Sequence, residues 1–256
     1  MELDAEAIYR VVIDGAERLP DAQFVERPDW IQLRTPSSSQ VPHNKILRAV
    51  LADEDADATI AGVQAEHQAR GAQFAWVVDW RSRPLDLSAR LVAAGVSVLG
   101  DGIGMVRSAD DMVAPEMAAV RIVRVDLKQV RTYAEVMCRA WPRPLAFADV
   151  LEPITRRSVE HPGRGITHWL AFVGDEPVGA SMLRLMSGGL AYLQGASVMP
   201  HVRGRGVYRA MMQKRMAYGA ARGHATAVIW ANPKTSAPIA SRMQFHEVPL
   251  ARITFH

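Results

Sequence analysis

The sequence predicts an α+β fold built in two halves, and three observations carry that expectation. The C-terminal half alternates helix and strand patterns in a regular order. A glycine–arginine stretch, HVRGRGVYRAMMQKR (201–215), stands directly ahead of one of those helices. The N-terminal half carries a faint copy of part of the same pattern. A chain of 256 residues, 49% apolar and 22% charged, suits a soluble globular protein of one large domain or two small ones. The expected boundary divides it into 1–115 and 116–256.

Taken in order, MELDAEAIYR is acidic and amphipathic, without a signal peptide's basic start and apolar core. PSSSQVP (36–42) reads as a loop. QARGAQFAWVVDW (68–80) joins a helix end, a glycine and a β-rich run, and PLDLSARLVAAGV (84–96) comes after it. Asp101-Gly102-Ile103-Gly104, with no helix after it, reads as a hairpin turn. ADDMVAPE (109–116) reads as a loop and the domain junction. DLKQVRTYAEVMCRAW (126–141) has helical spacing and is stopped by Pro142 and Pro144.

HWLAFV (168–173) and EPVGASMLRL (176–185) are apolar runs split by Gly174-Asp175, a hairpin signal. LAYLQGASV (190–198) is a third strand, ended by Met199-Pro200. After the glycine–arginine turn a helix runs from Val207 to about Arg222, with Gly223 as its C-cap. ATAVIW (225–230) is a strand, SAPIASRMQF a short helix and VPLARITF a last strand. The internal copy pairs 68–80 with AARGHATAVIWAN (220–232), Arg70-Gly71 falling opposite Arg222-Gly223. It also pairs 84–96 with PKTSAPIASRMQF (233–245), Pro84 falling opposite Pro233. No RGRG-like turn precedes residue 115.

Composition excludes several classes. No apolar run reaches the roughly 18 residues that span a bilayer. Cys138 is the only cysteine, so there is no disulfide framework and no cysteine metal cluster. Its helical setting predicts a buried, inert thiol. A cytoplasmic protein is expected, monomeric or homodimeric, with no metal and no membrane partner.

Charge is unevenly spread. Residues 1–115 hold 18 acidic against 11 basic side chains, and residues 116–256 hold 9 against 19. Between Glu176 and Glu247 no acidic residue occurs, while Arg184, Arg203, Arg205, Arg209, Lys214, Arg215, Arg222, Lys234 and Arg242 do. A stretch of one sign points to a polyanionic ligand, a small polyphosphate or a nucleic acid. The turn favours the polyphosphate. A helix from Val207 offers unpaired N–H groups and partial positive charge, and Gly204 and Gly206 let a phosphate approach the backbone. Arg203 and Arg205 are expected to add charge-assisted bonds. A P-loop is excluded because no Gly-Lys-Ser/Thr comes after the turn.

VMPHVRGRGVYRAMM (198–212) resembles the acetyl-CoA signature of the GNAT superfamily of N-acetyltransferases, Gln/Arg-x-x-Gly-x-Gly/Ala after a strand. Arg203 fills the first position and Gly206 the fourth, while Tyr208 replaces the small sixth residue. The order of elements from about 120 to 256 agrees. The resemblance implies a tandem GNAT fold, a mixed central sheet flanked by helices in each half. On this reading 1–115 is a degenerate copy without the phosphate turn, and 116–256 is the domain that binds acetyl-CoA. It implies cofactor contacts at Val198, Arg203, Gly204, Arg205, Gly206, Val207, Tyr208 and Asn232, and an acceptor pocket near Trp141 and Arg143.

The family's usual acid, a tyrosine five residues before the helix-closing Phe245, falls on Ala240. The usual strand glutamate is missing from LAYLQGASV. Candidates for the catalytic work are Tyr192 and Gln194, which share a strand face, and His168, whose intrinsic pKa suits a base. The expected function is transfer of an acetyl group from acetyl-CoA to a small-molecule amine. The alternatives are an aminoacyl-tRNA donor, which the basic interval would suit, and a non-catalytic acyl-CoA-binding protein.

Overall fold

The structure, a computed structural model, describes residues 4–14, 19–110, 119–141 and 143–256. Its elements begin with α1 (Ala5–Asp14), β1 (Gln23–Glu26), β2 (Ile31–Arg34), β3 (Lys45–Leu47), α2 (Ala56–Ala69), β4 (Ala75–Asp79), α3 (Leu87–Ala93) and β5 (Gly100–Ser108). They continue with β6 (Arg121–Arg124), α4 (Val130–Ala140), α5 (Ala148–Glu160), β7 (Ile166–Val173), β8 (Glu176–Met186) and β9 (Leu190–Val198). The last are α6 (Val207–Ala220), β10 (Thr226–Ala231), α7 (Ser236–Arg242) and β11 (His246–Phe255).

Two compact units form, and they do not coincide with the segments 1–115 and 116–256. The first comprises Met1–Met105, Trp230–Ala240 and Glu247–His256; the second comprises Val106–Ile229 and Ser241–His246. The cause is β11, which pairs antiparallel with β4, Ile253 opposite Asp79 and Phe255 opposite Val77. Ile253 packs in one cluster with Tyr9, Val12, Leu47 and Val77. The last strand therefore completes the first unit's sheet. The junction expected at 109–116 lies mostly outside the described residues, as does Pro142.

In the first unit the strand order is β1-β2-β3-β4-β11-β5. Trp76, Ile46, Ile60, Leu87 and Leu91 form a core cluster between sheet and helices. Each such fully buried side chain contributes about 1.5–3 kcal/mol of apolar burial. Asp101-Gly102-Ile103-Gly104 is strand, in β5, and not the expected hairpin turn. The glycines serve packing there. A Cβ at Gly104 would lie 2.7 Å from both Ala251 Cβ and Ile8 Cγ2, and one at Gly102 would lie 3.2 Å from Ile253 Cγ1.

In the second unit the order is β10-β9-β8-β7-β6, with β6 to β9 antiparallel and β10 parallel to β9. Asp126 starts α4: its carboxylate accepts the N–H groups of Lys128 (2.9 Å) and Gln129 (3.0 Å). Gln129 Oε1 in turn accepts the Asp126 N–H at 3.3 Å, a reciprocal capping box. One face of α4, with Val130, Tyr133, Val136 and Met137, packs on Leu170 and Ala180. Val207, Ala210 and Met211 of α6 pack with Val178, Val198 and Val202. Gly223, at φ 78°, stands just past α6 as expected of a C-terminal glycine.

Candidate functional site

The glycine–arginine turn is built as a backbone-lined helix start. Gly204 and Gly206 have φ of 78° and 82°, a left-handed conformation that side chains disfavour. Gly206 occupies the N-cap of α6 without a side-chain capping bond, and the first turn holds no acidic residue. A helix start of this kind presents backbone N–H groups and the positive end of the helix dipole. Tyr208, at the position where the signature has a small residue, packs its ring against the Val198–Val202–Val207 cluster. Its backbone stays part of the turn.

Beside the turn, β9 has an open edge. Its ladder with β10 covers only Leu190, Ala191 and Tyr192. Further along, Ala180 of β8 pairs with Ser197 while Met182 pairs with Gln194. Ser181 thus faces two residues, Gly195 and Ala196, which makes a β-bulge in β9. Gly195 takes φ 54°. The atoms nearest its missing side chain are Met137 Cε and Trp141 Cη2, both at 3.9 Å. A glycine inside a strand pattern is the signal that marks such a bulge in sequence.

Arg203 departs from its expected role. Its Nε donates to the Val198 carbonyl at 3.1 Å and its Nη2 to the Ala140 carbonyl at 3.0 Å. The guanidinium is spent on the end of β9 and the C-terminus of α4, because those carbonyls have lost their ladder and helix partners. Arg205 remains exposed on the turn. Val198 is buried. Asn232 caps α7: its Oδ1 accepts the N–H groups of Lys234 (2.9 Å) and Thr235 (3.1 Å), so that oxygen is committed locally.

On the α4 side, Trp141 is 38% exposed next to the bulge. Arg143 stacks its guanidinium over the rings of Phe147 (5.0 Å) and Trp141 (5.8 Å). Neither titratable candidate, Tyr192 or His168, is poised near neutral pH. Burial pushes Tyr192 up to about 12. His168 is lowered to about 4 by burial and by the nearby Arg184, and its ring sits edge-on to Tyr133 at 4.9 Å. It is buried, and neither ring nitrogen has a hydrogen-bond partner. By register it lies level with Met182 and Gln194, two strands away from β9. Gln194 carries a buried side-chain oxygen without a partner. Ala240, at the position of the family's acid, is fully buried. Cys138 is buried and its thiol is raised by desolvation, in keeping with an inert role.

Among the described residues no cluster of metal-ligating side chains occurs and no helix is long and apolar enough to cross a membrane. The structure also adds a residue that the sequence did not single out. Arg215 of α6 is fully buried and donates to three backbone carbonyls, two of them beside the bulge.

Comparison with known proteins bears on this fold and on the turn. Residues 131–243 match the sequence model of the acetyltransferase (GNAT) family. Solved structures with the same fold match nearly the whole chain. A conserved protein of unknown function from Staphylococcus epidermidis ATCC 12228 superposes with a TM-score of 0.72 at 14% identity, over 93% of each chain. A GCN5-related N-acetyltransferase from Kribbella flavida gives 0.64 at 12%, over 98% of this chain and 92% of its own. A tandem GNAT protein from the clavulanic acid biosynthesis pathway gives 0.56 at 13%, over 96% and 86%. No curated protein matches the sequence. The chain therefore has the fold of a tandem GNAT protein, and its 131–243 segment is similar in sequence to the acetyltransferase (GNAT) family.

Proposed function

We propose that this protein transfers an acetyl group from acetyl-CoA to the amine of a small molecule. One observation carries the reading: an uncapped helix start with two left-handed glycines adjoins a strand edge that β10 leaves open beyond Tyr192. A pyrophosphate suits the first and an extended, amide-bearing pantetheine arm suits the second, as an added strand would. In this reading Gly204, Arg205, Gly206, Val207 and Tyr208 hold the pyrophosphate through backbone and charge. Val198 lies along the arm. Trp141 and Arg143 wall the acceptor, and only the segment 116–256 binds CoA.

The amine must arrive deprotonated. Its nitrogen lone pair attacks the thioester carbon, the carbonyl pair moves to oxygen, and collapse expels the CoA thiolate while the amine's proton passes to water. Tyr192 and His168 do not take that proton near neutral pH, given their shifts. Gln194 serves by holding a water. A thiol of ordinary pKa, about 8.5, leaves acceptably without an acid, so the alanine at 240 slows the reaction and does not forbid it.

The carbonyl-bound arginines argue against an RNA donor. Arg203 and Arg215 of the basic interval are engaged with backbone carbonyls, which shortens the surface on which a nucleic-acid backbone would lie. Titration calorimetry with acetyl-CoA tests the reading. Binding by the wild-type protein is expected; no binding, together with tight tRNA binding, would replace it.

A further inference from the structure

Arg215 sits on α6 with 0% exposure. Its Nε donates to the Met211 carbonyl at 3.1 Å, and its Nη1 to Met182 O at 2.8 Å and Gln194 O at 3.3 Å. Its Nη2 is buried with no hydrogen-bond partner. No carboxylate pairs with it among the described residues. Desolvation lowers it to about 10, so it stays charged at neutral pH. An uncompensated buried cation is costly to keep, and the neighbouring Met211, Met212 and Met216 show that α6 fills its core with apolar side chains elsewhere. A neutral donor would satisfy the carbonyls at the bulge. A cation adds a stronger and longer-ranged field than a neutral dipole.

That field falls on one peptide group. Gln194 C=O and Gly195 N–H belong to the same amide, and a charged donor on the oxygen draws electron density from the N–H and strengthens it as a donor. Gly195 lies in the bulge, outside the paired register, on the stretch of β9 that β10 leaves open and opposite Trp141 of the acceptor side.

We propose that Arg215 is a positioning residue for acyl transfer, acting through the Gln194–Gly195 peptide on the thioester oxygen. This rests on the acetyl-CoA reading above. As the amine nitrogen bonds to the thioester carbon, negative charge gathers on that oxygen and the strengthened amide donor receives it. Arg215 exchanges no proton and forms no bond to substrate.

The test uses the full chain with acetyl-CoA labelled with ¹³C at the carbonyl. In the wild type the bound carbonyl stretch is expected below that of free acetyl-CoA. In Arg215→Met that downshift disappears while the dissociation constant changes less than about threefold, and slow turnover to free CoA in water falls about tenfold or more. Arg215→Lys, which keeps a charge but loses the fork, gives an intermediate stretch and serves as the comparison if Arg215→Met does not fold. An unchanged stretch in either folded variant overturns the role of Arg215 alone. Absence of acetyl-CoA binding by the wild type overturns the acetyl-CoA reading and this role with it.

Discussion

Two Gly-x-Gly stretches in this chain look alike in sequence and do opposite things. Gly102-Ile103-Gly104 lies in β5, where Ile8, Ala251 and Ile253 leave no room for a side chain. Gly204-Arg205-Gly206 lies at the start of α6, where both glycines have positive φ and nothing stands within 4 Å of the missing side chain at Gly204. The first pair is glycine because of space, the second because of backbone conformation. A glycine pair therefore announces that the backbone is special without saying why. The residues after each pair are more informative: the first pair runs on into strand, the second into a helix with basic flanks.

Substituting each pair separates the two causes. The largest effect on folding is expected from Gly104→Val, which drives a branched side chain into Ala251 and Ile8. Overpacking of this kind costs typically 1–3 kcal/mol, and the 2.7 Å approaches place it at about 3 kcal/mol or above. Urea unfolding measures it, and a loss under about 0.5 kcal/mol would show that β5 is not packed as described. Gly206→Asp should act on the ligand. Aspartate tolerates the left-handed region better than most residues, so unfolding should shift by only about 1–2 kcal/mol. Acetyl-CoA affinity should fall well over tenfold, because a carboxylate meets the pyrophosphate. Unchanged affinity by calorimetry would end the phosphate-turn reading.

Salt gives a smaller effect. Raising it from about 50 to 200 mM should weaken acetyl-CoA binding roughly tenfold or less, since few charges are neutralised, whereas six or more phosphate contacts would cost about 10³-fold or more. The smallest change is expected within the turn's own arginines. Arg203→Ala should alter acetyl-CoA affinity less than Arg205→Ala, because Arg203 is committed to Val198 and Ala140. The reverse order in calorimetry would mean that Arg203 leaves those carbonyls to meet the ligand.

Much of this molecule was legible in its sequence. The order of elements from 166 onward, the left-handed turn, the helix it starts and the glycine after that helix all obey local rules, whereas α5 went unread because Pro153 interrupts its pattern. Apolar period, proline stops and glycine conformations act within a few residues, so a sequence states them directly. Gly195, inside a strand pattern, is a further local sign that the backbone departs from a regular ladder. The tertiary structure decided the rest. It joined β11 to β4, and so took the last strand into the first unit, because strand pairing depends on which apolar faces meet and not on nearness in the chain. It committed Arg203 and Arg215 to backbone carbonyls, since only a folded bulge and helix end create carbonyls in need of donors. It lowered His168 and raised Tyr192 by burial, which no count of residues foretells. Charge in the sequence is a number; whether it faces a ligand or the protein's own backbone is settled by what the chain packs around it.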